Sequence, residues 1–86
     1  MRLMNLPIVE TLSPSTRSFW RGDDFMSFLV DSGEWGITQL SIVVPYSISR
    51  IHDHLQALIA VNLLEPHYIG KKRHYKRYSL HRDIAA

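Results

Sequence analysis

Cysteine is absent from this 86-residue chain, so no disulfide, thiolate nucleophile or thiolate metal centre can form. Redox sensing through sulfur is excluded, and a reducing, cytoplasmic location is the simplest expectation. The apolar N-terminal stretch Met1 to Val9 carries one Arg and is interrupted by Pro7. It is too short for a secretory leader and far below the ~20 residues needed to span a bilayer, so membrane insertion is not expected. Catalytic constellations are missing too: there is no nucleophile with its base, no phosphate-cradling glycine loop and no paired carboxylate site. Asp23-Asp24 reads as helix capping, and the chain is not expected to be an enzyme. No internal repeat or low-complexity tract appears.

Five histidines are present, yet they lack metal-ligand spacing. His52 and His54 are two apart on an expected helix and point to different faces, while His67, His74 and His81 lie on or after an expected hairpin. Neither a metal, another cofactor nor a small-molecule effector is expected.

The 45% hydrophobic content suits one packed domain. A chain of this length buries only roughly 60–65% of its unfolded surface, which makes a partner subunit attractive. Charge is unevenly spread. From Lys71 onward there are six Lys/Arg against one acid, Asp83, giving +5, whereas the preceding residues carry four basic and seven acidic side chains, or −3. A basic tail on a mildly acidic body is the electrostatic footprint of a polyanion partner.

Pro7, Pro14 and a Ser/Thr cluster make residues 1–20 read as an N-terminal arm with at most a short strand or helical turn. Residues 21–86 read as the domain proper. Asp23-Asp24 offers an N-cap to a first helix whose Phe25, Phe28 and Leu29 share a face until Asp31-Ser32-Gly33 ends it. Glu34-Trp35-Gly36-Ile37 suits a brief strand. Thr38 can then cap a second helix, in which Leu40 and Val44 share an i, i+4 face although Ile42-Val43-Val44 has strand propensity.

Pro45 ends that helix and Ser47 can cap the next, over about 47–61. At ~100° per residue, Ile48, Ile51, Leu55, Leu58 and Ile59 form one stripe, with Ser49, Asp53, Gln56 and Ala60 opposite and Arg50 and His52 on the flanks. Asn62 suits a left-handed C-cap. Leu63-Leu64-Glu65 begins a strand, Gly70-Lys71-Lys72 turns it, and Tyr78 and Leu80 share the inward face of the return strand.

The segment ITQLSIVVPYSISRIHDHLQALIAVNLLE, followed by Gly70-Lys71-Lys72-Arg73-His74-Tyr75 and Tyr78-Ser79-Leu80, resembles the winged helix-turn-helix of the ArsR and MarR families of prokaryotic regulators. It covers about the last fifty residues. In that resemblance Thr38 and Leu40 open the second helix, Ser47 starts the recognition helix, and His54-Leu55 with Leu58 matches a His-Leu-x-x-Leu core pattern. Asn62-Leu63-Leu64 matches Gly-Leu-Ile before the wing. The chain departs from the families at Pro45, where the turn commonly has Gly, and at Asp53, where Arg, Lys or a small polar residue is common.

The resemblance implies an α+β winged helix of order α-β-α-α-β-β, used as a transcriptional regulator. It would bind double-stranded DNA with helix 47–61 in the major groove and the wing, residues 70–77, on the backbone or minor groove. Candidate DNA contacts are Ser47, Ser49, Arg50, His52, Asp53 and Gln56 on the helix, and Lys71, Lys72, Arg73, Lys76 and Arg77 on the wing. A homodimer is expected, because two recognition helices serve a palindromic site and because the arm and first helix carry more aromatics than a short helix can bury. Two alternatives stand beside this reading. One is a protein-interaction or assembly module, which suits Asp53. The other is a single-stranded DNA or RNA binder stacking bases on Tyr68, Tyr75 and Tyr78.

Overall fold

Helix formation begins earlier than the composition suggests. The computed structural model, which describes residues 3–70 and 76–85, has 3-10 turns at Leu3–Asn5 and Pro7–Thr11, then helix α1 at Pro14–Trp20. The Ser and Pro that read as loop formers are its start signal. Ser13 Oγ accepts from the Thr16 backbone N–H at 3.3 Å, and Pro14 sits in the first turn, where its missing N–H leaves no intrahelical bond unmade.

The expected arm is therefore part of the packed body. Val9, Leu12, Phe19 and Trp20 are buried, and the Trp20 indole donates to Leu3 O at 3.0 Å. Arg21 fastens the same segment, donating through Nε to Met4 O at 3.1 Å and through Nη2 to Glu10 Oε1 at 2.6 Å.

Helices α2 (Asp23–Ser32), α3 (Ile37–Val43) and α4 (Ile48–Ala60) follow, then strands β1 (Leu64–Tyr68) and β2 (Lys76–Leu80) and a terminal turn of helix, α5 (Arg82–Ala85). Five helices and one antiparallel hairpin among the described residues make a small α+β fold whose layout is compatible with a winged helix. None of these helices is long and apolar enough to cross a membrane.

Local starts differ from expectation in two places. Gly22, not an aspartate, is the N-cap of α2, and Asp23 and Asp24 occupy its first turn, where the helix dipole favours negative charge. Gly36, not Thr38, caps α3, its N–H taken by Gln39 Oε1 at 2.8 Å. The strand expected at 34–37 shrinks to Trp35, whose N–H and C=O pair with Tyr78 at 2.9 and 2.7 Å. Because Tyr78 turns both its backbone groups toward Trp35, its opposite number on β1 can be Pro66, which has no N–H to offer.

An aromatic chain runs through the core. Phe19 and Phe25 lie 4.7 Å apart between ring centroids, Trp20 and Phe25 5.8 Å, Phe25 and Trp35 6.2 Å, and Trp35 and Tyr78 5.4 Å. The aromatic surplus that pointed to a second subunit is thus absorbed within one chain. Its covering partners come from α1.

The C-terminus of α4 is a Schellman motif: Asn62 has φ 60°, Asn62 N–H donates to Ile59 O at 3.0 Å, and Leu63 N–H donates to Leu58 O at 3.0 Å. Only a glycine adopts this conformation more cheaply. Asn62→Gly is expected to melt at or above the wild-type temperature, whereas Asn62→Val should lose roughly 1–2 kcal/mol in urea unfolding.

Candidate nucleic-acid interface

Helices α3 and α4 meet across the turn 44–47. Val44 is extended, as a residue before proline must be, and its N–H still closes on Leu40 O at 3.1 Å. Tyr46 holds the turn against the body, its ring 5.3 Å from Phe19 and 5.8 Å from His54. Ser47 caps α4, Oγ accepting from Arg50 N–H at 3.3 Å. Leu40 and Val44 are buried beneath this pair of helices.

The buried stripe of α4 is Ile51, His54, Leu55 and Leu58. It is turned from the one read off the sequence: Ile48 is 52% exposed, Ile59 is half-buried, and His54 is 7% exposed. The cause is α1, which covers the His54 flank. Thr16 Oγ1 lies 2.9 Å from His54 Nδ1, and Phe19 stacks on the imidazole at 4.7 Å. No local periodicity reveals that contact, although the His-Leu-x-x-Leu pattern was a signal that His54 faces inward.

Burial, reinforced by the Arg50 charge and opposed by Asp53, holds the His54 imidazole below the usual histidine value. The neutral ring is the form that fits beside Thr16, Phe19 and Tyr46. Since the unfolded chain protonates more readily near the ordinary pKa of ~6.5, the stabilisation is complete above that pH and is lost as pH falls toward the depressed folded value. Urea midpoints at about pH 7.5 and about pH 5.5 check this: wild type should lose more stability on acidification than His54→Gln.

The opposite face of α4 carries the expected contacts together. Ser47, Ser49, Arg50, His52, Asp53 and Gln56 are all exposed. Among the described residues Arg50 makes no ion pair; Asp53 instead lies 3.8 Å from His52 Nδ1. Ser15, Thr16, Arg50, Asp53 and His54 line a shallow polar cleft between α1 and α4.

The hairpin residues divide. Lys71, Lys72 and Arg73 lie outside the described residues, as does Tyr75. Arg77 donates through Nη2 to Glu34 O at 3.0 Å and to Gln39 Oε1 at 3.4 Å. It therefore anchors the hairpin to the start of α3. Lys76 Nζ stands 5.7 Å from the Tyr68 ring centroid. Tyr78 is core, so of the three tyrosines considered for base stacking only Tyr68 is both described and exposed. Across the hairpin strands His67 Nε2 and Ser79 Oγ are 2.7 Å apart, and at the open end Arg82 Nε donates to Glu65 Oε2 at 3.0 Å, an interaction that holds the Glu65 carboxyl below the usual range. No group of three or more His, Asp and Glu among the described residues is placed to hold a metal ion.

Sequence reasoning missed the exposed apolar residues around the α3–α4 turn. Ile42 is 86% exposed, and Val43 and Ile48 are also open to solvent. For Ile42 the signal was present: two residues from each of the inward Leu40 and Val44, it is rotated ~160–200° away from them on a helix. No protein-family model, curated protein or solved structure matches the chain.

Proposed function

We propose that this chain is a winged-helix module that binds duplex DNA, with α4 in the major groove and the basic hairpin against the backbone, and that it serves as a small transcriptional regulator. The observation that carries the reading is the exposed face of α4. Six polar side chains, Ser47, Ser49, Arg50, His52, Asp53 and Gln56, stand together on a helix fixed from behind by α1 and α3. A short helix so braced presents its N-terminal turns outward, the part that contacts base edges in helix-turn-helix proteins. Lys71, Lys72, Arg73 and Lys76 of the basic tail supply the sequence-independent attraction.

Asp53 repels phosphate but can accept from cytosine N4, so its place is against a base edge. Two copies would read two half-sites. With Phe19, Trp20, Phe25 and Trp35 buried inside each chain, that dimer rests on the small size of the chain and the symmetry of DNA sites. Anisotropy titrations of labelled random-sequence duplex, single-stranded DNA and RNA at several salt concentrations test the proposal. Tightest binding to duplex supports it. Preference for single strands favours the stacking alternative, and no binding to any of the three at low salt leaves the protein-interaction module.

A further inference from the structure

Three apolar side chains stand unburied around the α3–α4 turn, within seven consecutive residues. Ile42 is the most exposed large apolar residue among those described, at 86%, Val43 is 39% exposed on the same last turn of α3, and Ile48 opens α4 at 52%. They are not errors of helix phase, since Leu40 and Val44 on the same segment are fully or nearly buried. An isolated exposed isoleucine needs no explanation, but three exposed apolar residues at the turn that leads into the polar face of α4 do.

We infer that Ile42 and Ile48 are specificity-determining contacts to the 5-methyl groups of thymine in the major groove. This rests on the duplex-DNA reading above and adds a base preference to it. Ile48 occupies the first position of α4, next to the Ser47 cap and two residues before the exposed Arg50. That is the end of a recognition helix that reaches base edges. Thymine is the base that presents an apolar group there. Three small side chains fall far short of the ~800 Å² per partner that a standard protein interface covers, whereas a methyl group is covered by one or two.

The surroundings have the right chemistry. Ser47 and Ser49 offer hydroxyls and Arg50 a cation on one side of Ile48, while the nearest acid on α4, Asp53, stands more than a full turn beyond it. A nucleic-acid edge meets both the apolar contact and the flanking donors.

The experiment uses the full chain. A bound duplex is first selected from a random-sequence pool, and its thymines are then replaced by uracil, which removes the 5-methyl groups and nothing else. Wild-type protein should bind the uracil duplex about fourfold more weakly for each contacted methyl, the equivalent of burying one methylene-sized group. Ile48→Ala and Ile42→Ser should bind the thymine duplex more weakly and lose the thymine-over-uracil preference. Both positions are solvent-exposed, so thermal melts of the variants should match wild type. Equal wild-type affinity for the two duplexes overturns the inference while leaving duplex binding intact. A variant that weakens both duplexes equally overturns it as well, because the side chain then acts through the fold. Failure to select any duplex overturns the DNA reading and this inference together.

Discussion

Truncating Trp20 to alanine is expected to remove ~3–5 kcal/mol of stability, the usual cost of deleting a buried indole. The side chain is fully buried, packs 5.8 Å from Phe25 between centroids and ties the first 3-10 turn to α1 through its bond to Leu3 O. For a chain of 86 residues the whole folding free energy is about 4–13 kcal/mol. Much or most of the molecule's margin would therefore disappear. Urea unfolding followed by far-ultraviolet circular dichroism reads the effect directly. Trp20→Phe should lose clearly less, since it retains a ring against Phe25 and forfeits only the indole's extra area and its N–H. Gln56→Ala, on the exposed face of α4, should be nearly silent. If Trp20→Ala unfolds at the same urea concentration as Gln56→Ala, the first twenty residues are a dispensable arm and the packing of α1 against α4 is wrong.

That contrast marks what sequence can and cannot carry. The centre of the chain was readable because its rules are local: Pro45 stops one helix, Ser47 caps the next, and Asn62 takes the left-handed conformation that closes it. The inward turn of Leu40, Val44, Ile51, Leu55 and Leu58 follows from helical spacing alone. Errors came where a second segment decides. Ser13-Pro14 is equally a loop and a helix start until something apolar, here Phe19 and Trp20, has a core to enter. His54 is inside and Ile48 outside because α1 covers one flank of α4, a contact between residues 38 apart in the chain. Likewise the strand expected at 34–37 had only one residue, Trp35, within reach of β2. For the candidate site, the polar face of α4 was legible, but the role of Arg77 was not. Its charge resembled that of its basic neighbours, and only the fold places Glu34 O and Gln39 Oε1 beneath it.

The anchoring of Arg77 also sharpens what salt should do to the proposed DNA binding. With that guanidinium engaged by the body, the proposed phosphate contacts of the hairpin reduce to Lys71, Lys72, Arg73 and Lys76. If about three of these act per copy, a dimer neutralises ~6 phosphates, and log K should fall against log salt with a slope of about −5. Between ~50 and ~200 mM salt that is a loss of about a thousandfold in affinity. Replacing Lys71 and Lys72 together by alanine should weaken every duplex to a similar degree and flatten the slope by roughly 0.9 for each phosphate no longer neutralised. Arg77→Ala should behave differently, lowering thermal stability by freeing the hairpin from α3 while changing the slope little. Arg50→Ala should leave the slope nearly intact and instead cost ~1–3 kcal/mol of preference for a selected site over random duplex, provided it grips a guanine edge. Phosphate contacts set affinity and base contacts set choice, so the two classes of variant must separate along those two axes. An unchanged affinity and slope in the Lys71/Lys72 double variant would mean that the positive charge of the tail serves solubility, and duplex binding would lose its electrostatic basis.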